Sequence, residues 1–435
     1  MDAATSKDSV ADFVAEIVGP GGWTVGRVRQ RSTRFEPPDW YWSSFNVDIN
    51  KDEDKRTLRL VTKGAMSLEA WERMSGRLLT HGAGRACDPV DGTGYPRLFP
   101  DTQHAYWFYP YDLSMHNLPA ANDKVRMASA LFGLESPTDV LAAARRLEIE
   151  RVRYVPEVGA IMRYTLDSGG APATIFGKVQ PGHRGLRTFN VVQGLWRAAA
   201  RYPGLLTLPR PLAYVEDMNL LLEEGVRGRP VVGDRDSAEF EAASNAAAEA
   251  LAVIHESDVG SDERIRIEDE LGRLDRVTEQ FAYVLPAGHF LLKDLVTHMR
   301  ERVRKTEEED WLPTHGDMKY DQFMLHNDHF TLLDFDYFAL AETSYDLGKF
   351  CAYAVPSMPL DWRQSVGAEE ARLVFMRRYR ELRPYATLDR FGVYEALHLA
   401  LRAMSFMWAQ VPEWDRMAEG FLVLAFERLK SRLPE

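Results

Sequence analysis

The C-terminal half of this chain reads as helix from Asp236 onward, with one interruption between Pro313 and Phe338. That interruption constrains the fold most, because a tight hairpin cannot be absorbed into a helical bundle and must be seated on it. The run Leu312-Pro313-Thr314-His315-Gly316-Asp317-Met318-Lys319-Tyr320-Asp321-Gln322-Phe323-Met324-Leu325 leads into a turn at His326-Asn327-Asp328-His329. The returning strand is Phe330-Thr331-Leu332-Leu333, closed by Asp334-Phe335-Asp336. Hairpin pairing draws together the residues before the first strand and those after the second. Asp317, Gln322 and Asp334 therefore meet at one mouth.

A carboxylate, an amide and a second carboxylate at such a mouth have a physical use. Phosphoryl transfer needs a group that orients and deprotonates an attacking hydroxyl, and hard oxygen ligands for a Mg²⁺ ion on the nucleotide phosphates. Asp317 fits the first role; Gln322 and Asp334 fit the second. A lone His-Gly-Asp would read as a surface loop, and it is the ordered set that points to a site.

The segment resembles the catalytic loop of the kinase-like phosphotransferases, in which an Asp is followed by four residues, an Asn, a hairpin and a metal-binding Asp. His315-Gly316-Asp317 is similar to the form used by aminoglycoside phosphotransferase-like small-molecule kinases. Gln322 in the Asn position resembles the maltokinase and glucosamine-kinase branch; Gln is one methylene longer, and its carbonyl is still a hard ligand. Lys319 resembles the catalytic-loop lysine of protein serine/threonine kinases. Glu342-Thr343-Ser344-Tyr345-Asp346-Leu347-Gly348 is similar to the family's acidic motif after the metal Asp, which implies that Asp346 braces the loop. The resemblance covers about residues 148–435. It implies an α+β, bilobal protein-kinase-like fold with a mainly β N-lobe and a helical C-lobe. It also implies ATP or GTP with Mg²⁺ as cofactors and a small-molecule hydroxyl acceptor.

Within that resemblance Lys178, the only lysine of Thr174-Ile175-Phe176-Gly177-Lys178-Val179, takes the place of the lysine that holds ATP phosphates. Leu220-Leu221-Leu222-Glu223-Glu224-Gly225 looks like the hinge, with Glu223 and Gly225 meeting the adenine edge through backbone groups. The lysine's usual helix glutamate is missing, since no Asp or Glu stands between Lys178 and Glu216. Gln193 can bond a lysine but not neutralise it. A distant carboxylate, the ATP phosphates alone, or loss of nucleotide binding each answer that absence. The last leaves a pseudokinase, a binding protein without transfer, as the alternative function. No G-x-x-x-x-G-K-[ST] run exists, which argues against a P-loop enzyme, and only twelve positions separate Asp334 from Asp346, too few for the activation segment of a protein kinase.

Composition agrees. Lys plus Arg is 53 and Asp plus Glu 65 in 435 residues, a net charge of −12, which disfavours a nucleic-acid partner. No stretch approaches a membrane span, the acidic start lacks a signal-peptide core, and the two cysteines, Cys87 and Cys351, exclude a disulfide framework. A cytoplasmic enzyme is the expectation; oligomeric state is left open.

Three divisions are expected: an additional α+β cap domain over 1–147, an N-lobe and hinge over 148–230, and a C-lobe over 231–435 carrying the catalytic loop 313–338. In the cap, helices are expected at Val10–Val18, from Ser67, at Asn122–Leu131 and, with Ser136 as N-cap, at Ser136–Leu147. Strands are expected at Tyr41–Ile49, Thr57–Val61 and His104–Tyr109, and a loop at Gly82–Gly94. The N-lobe should hold strands Arg151–Tyr154, Ala160–Leu166 and Ala173–Val179, a turn at Asp167–Gly170 and a helix at Arg187–Arg201. A hairpin of Leu212–Val215 with Asn219–Glu223 and a linker at Gly225–Gly233 complete it.

The remaining polar features have plainer readings. Asp336 either assists a second metal or finishes the strand. His255 reads as a packed helix-end histidine, His326 and His329 as exposed turn residues, and Glu307-Glu308-Glu309-Asp310 as a solvated helix end or loop. Trp408, Glu413, Trp414 and Asp415, near the junction of helices Gly392–Val411 and Glu413–Lys430, carry the rings and carboxylates that would grip a sugar or aminoglycoside-like acceptor. For any single one of them, helix packing with a charged cap is the stronger reading.

Overall fold

The computed structural model describes residues 6–36, 38–80, 97–167, 173–231, 237–356, 366–409 and 411–431. The loop expected at Gly82–Gly94, Cys87 and the turn beyond Asp167 lie outside these residues, as does part of the Gly225–Gly233 linker. The fold is α+β, as expected: antiparallel sheets dominate the first part and helices the last. The chain divides into two compact units. One comprises Met1–Gly185, Tyr214–Leu222 and Trp408–Gln410; the other comprises Leu186–Ala213, Glu223–Met407 and Val411–Glu435.

In the first unit, strands Thr24–Glu36, Trp40–Lys51, Asp54–Ala65, His104–Phe108 and Arg97–Phe99 hydrogen-bond in that order. Their alternating apolar positions bury Phe45, Val47, Ile49 and Leu60 against Val10, Phe13 and Val14 of the Lys7–Val18 helix. Thr24–Glu36 is a strand the sequence reading did not anticipate: its arginines at alternate positions leave little apolar signal, and it is an edge strand with much exposed surface. Ser136 stands at the N-cap of the Pro137–Arg146 helix, but its hydroxyl makes no capping bond.

Strands Leu147–Val155, Gly159–Leu166 and Ala173–Val179 form an antiparallel meander continued by Leu220–Glu224 and then Pro211–Val215. Buried polar contacts tie this meander to the residues before it. Trp107 Nε1–H donates to Tyr154 Oη at 2.9 Å, and Tyr154 Oη–H donates to Asp112 Oδ2 at 2.7 Å. The same carboxylate accepts Glu157 N–H at 3.0 Å, and Tyr164 Oη–H donates to the Ala121 carbonyl at 2.8 Å.

The second unit is built round the Ala238–Glu256 helix, whose small apolar residues let the Val366–Leu382 helix and the hairpin of Phe323–His326 with His329–Leu332 pack closely against it. Phe323, Leu332, Phe335 and Phe338 from the hairpin segment enter this core. Arg229–Pro230, expected as linker, forms a two-residue strand pairing with Leu325 and Met324. Among the described residues no helix is long and apolar enough to cross a membrane.

Candidate active site

Two pairs of strands clamp the loop over 313–338. Trp311–Thr314 leads in and pairs antiparallel with Ala339–Glu342, which leads out, in the register Leu312 with Ala341 and Thr314 with Ala339. Between them Phe323–His326 and His329–Leu332 form the expected hairpin. Its turn residues Asn327 and Asp328 both have positive φ, +48° and +63°, as a two-residue hairpin turn requires. The Leu333 N–H donates to the Gln322 carbonyl at 2.9 Å, so Gln322 lies across from Leu333, the residue before Asp334.

His315 stitches the loop from inside. Its Nε2 bonds the Leu333 carbonyl at 3.0 Å, and its Nδ1 accepts the Asp317 N–H at 3.2 Å. Those partners assign the neutral tautomer with the proton on Nε2. Burial lowers its pKa to about 4 and keeps it neutral. Gly316 has φ +80°, and a Cβ there would lie 2.0 Å from the Tyr337 carbonyl oxygen, so only glycine lets the loop pass this close to the chain beyond Asp334.

The Asp317 carboxylate is held from both sides. Oδ1 meets Lys349 Nζ at 2.7 Å; Oδ2 meets Lys319 Nζ at 2.9 Å and accepts the Gln322 amide N–H at 2.8 Å. Burial alone would raise its pKa, but the two ammonium groups together outweigh burial and hold the carboxylate well below its usual range. Asp317 is therefore an anion at any physiological pH. Gln322, itself buried, spends its N–H on Asp317 and leaves its carbonyl oxygen as the ligand-type atom.

The Ser344–Ala354 helix supplies the support. Asp346 Oδ2 accepts the His315 N–H at 2.7 Å, and Oδ1 accepts the Gly316 N–H at 3.1 Å. One turn on, Lys349 Nζ also donates to the Gly316 carbonyl at 2.8 Å. A further turn on, the Tyr353 ring lies 5.5 Å from Lys319 Nζ. Positions 346, 349 and 353 share one helix face, and that face touches loop residues 315 to 319 in order. Burial lifts the Asp346 pKa to about 7 despite Lys349 and the two N–H bonds. Gly348 allows the seating, since a Cβ there would meet Glu395 N at 2.6 Å.

Glu309 corrects the reading of its acidic run. It is 3% exposed, and accepts the Ser344 N–H at 2.8 Å, the Ser344 hydroxyl at 2.9 Å and the Arg390 N–H at 2.7 Å. It thus caps the helix that carries Asp346 and Lys349, satisfying a backbone donor that the helix cannot. A run of four acids reads as solvated; only the turn of the chain at 309 buries one of them.

Lys178 is half-buried in the Ala173–Val179 strand, opposite Ile161. Glu223 lies near the end of the Leu220–Glu224 strand, and Gly225 follows it. Asp334 is half-buried with φ +69°. Asp336 Oδ1 accepts the Thr188 hydroxyl at 3.4 Å. Gln193 is exposed on the Arg184–Ala199 helix, which has no acid in its first turn. His255 is buried, with Nδ1 2.7 Å from Tyr379 Oη, and His326 and His329 are exposed. Glu413 pairs with Arg416 at 3.1 Å, and Asp415 is exposed. Lys349 was missed. Its signal was its place three residues after Asp346 on a helix.

Residues 195–385 match the model of the phosphotransferase enzyme family. No curated protein matches the chain in sequence. Solved structures similar to it include a choline/ethanolamine kinase family protein from Mesorhizobium loti, 14% identical, with a TM-score of 0.47 over 72% of this chain and 95% of that one. A second is the amicoumacin kinase hAmiN in complex with AMP-PNP, Ca²⁺ and Ami, 14% identical, with a TM-score of 0.47 over 69% of this chain and 96% of that one. A third is a putative aminoglycoside phosphotransferase from Ralstonia eutropha, 17% identical, with a TM-score of 0.47 over 65% of this chain and 92% of that one. Residues 195–385, somewhat under half of the chain, are thus similar in sequence to the phosphotransferase enzyme family.

Proposed function

We propose that the protein transfers the terminal phosphoryl group of ATP to a hydroxyl of a small molecule, with a sugar or an aminoglycoside-like compound as acceptor. The observation that carries this reading is the Asp317 carboxylate, buried, ionised and fixed by three donors at the mouth of the hairpin. Phosphoryl transfer depends on positioning and on charge stabilisation more than on a strong base. A carboxylate kept ionised by two ammonium groups suits that demand: it accepts a hydrogen bond from the acceptor hydroxyl and orients it, a role that needs its charge and position rather than high basicity.

Gln322 and Asp334 offer an amide oxygen and a carboxylate on adjoining positions, a donor set that fits Mg²⁺. Bound there, the ion would neutralise charge on the nucleotide phosphates. Lys178 is assigned to the phosphates, Lys319 to the transferred group, and Glu223 and Gly225 to the adenine edge through their backbone. The intact loop favours transfer over a pseudokinase that only binds. Incubation with Mg-ATP and a panel of sugars, amino sugars, aminoglycosides and choline-type alcohols, read by phosphorus NMR, tests the reading. A new phosphomonoester is the expected product; unchanged ATP with every acceptor contradicts it.

A further inference from the structure

Asp317 has two ammonium partners where the orienting role needs its carboxylate to be turned toward an acceptor, and the two differ in how they are held. Lys319 belongs to the loop and also faces Asp321 at 3.9 Å and the Tyr353 ring. Lys349 comes from the Ser344–Ala354 helix, bridges Asp317 Oδ1 and the Gly316 carbonyl, and packs 6.0 Å from the Tyr345 ring. That helix is fixed at its start by Glu309, along its length by the Gly348 contact with the chain at Tyr394 and Glu395, and to the loop by Asp346. Lys349 is thus a cation tied to a rigid element, with two acceptors in one loop.

We infer that Lys349 is a positioning residue: a permanent counter-ion that fixes the orientation of the Asp317 carboxylate and leaves Lys319 free to engage the phosphoryl group. The inference rests on the phosphotransferase reading. An ammonium at 2.7 Å on Oδ1 restrains rotation of the carboxylate about its last torsion. The other oxygen, with Gln322 behind it, stays in place when Lys319 exchanges partners. The two lysines then have separable signatures. Loss of Lys349 misplaces the orienting group and falls on kcat; loss of Lys319 also weakens the grip on phosphate. A misplacement of about 1 Å costs around 10²-fold in rate.

The test pairs Lys349→Met with Lys349→Arg, using steady-state kinetics and a crystal structure of each. Lys349→Met should lose about 10²-fold in kcat with the KM for ATP within about threefold of wild type. Lys349→Arg, which keeps the charge, should recover about tenfold of that loss. In the Lys349→Met structure the Asp317 carboxylate should be rotated from its wild-type orientation. Lys349→Gln replaces Lys349→Met if the latter does not fold. Unchanged kcat, an arginine variant as impaired as the methionine one, or an unmoved carboxylate overturns the assignment. A wild-type protein without phosphotransfer defeats the functional reading instead, and the carboxylate orientation still decides the role of Lys349.

Discussion

The Asp346 carboxylate accepts the backbone N–H of His315 at 2.7 Å, so a helix more than thirty residues downstream fixes the peptide two residues before Asp317. Both ends of that bond are buried. Asp346→Asn keeps one oxygen but turns an amide N–H toward a backbone donor, leaving a buried N–H unsatisfied. The expected cost is about 2–4 kcal/mol in urea unfolding, with a fall in kcat as the loop loosens. An Asn variant as stable as wild type would show that the bond holds nothing.

Gly316→Ala should be harsher. The added methyl meets the Tyr337 carbonyl at 2.0 Å with φ at +80°, and neither backbone can yield without moving the loop that carries Asp317. A loss of roughly 3 kcal/mol or more is expected by thermal unfolding, together with most of the activity.

Glu309 gives a pH dependence with a definite sign. Burial lifts its pKa to about 7, against the two Ser344 bonds and the Arg390 N–H that favour the anion. Its folded-state pKa lies above its unfolded one, so the folded protein holds the extra proton between about pH 4.5 and 7 and is stabilised as pH falls through that window. The linkage is worth roughly 3 kcal/mol. Asp346 contributes in the same direction over a similar window. Glu309→Gln should remove part of this slope when unfolding free energies are compared at pH 5 and pH 8.

His255 has the opposite sign. Burial lowers its pKa to about 3, so the unfolded chain takes up the proton first and stability is lost as pH falls from about 6.5 toward 3. His255→Gln should lose less than wild type over that range, by up to about 1.4 kcal/mol per pH unit, in urea titrations between pH 6.5 and 4.5. Parallel curves for the two proteins would mean that His255 does not stay neutral in the folded state.

Legibility in the sequence varied with how local the signal was. The hairpin was readable because its turn and alternating strands lie within one short segment, and the juxtaposition of Gln322 with Leu333 follows from strand pairing alone. Bracing by Asp346 was readable through the resemblance of its motif. Lys349 was harder to read, because its one local mark is its place three residues after Asp346; its role appears only once positions 346, 349 and 353 fall on one helix face against the loop. Glu309 was masked by its acidic neighbours, since burial of one residue in a charged run depends on a distant helix start and on Arg390. The Thr24–Glu36 strand was hidden by its arginines, because an exposed edge strand gains little from apolar alternation and is held by backbone pairing with Trp40–Lys51.

The most direct test of the central claim compares wild type with Asp317→Asn for transfer of the labelled terminal phosphate of ATP, with Mg²⁺, to a small-molecule hydroxyl. The account expects a phosphorylated product from wild type, a loss of at least about 10²-fold in kcat for the variant, and ATP affinity little changed. Equal turnover by the two proteins would contradict it.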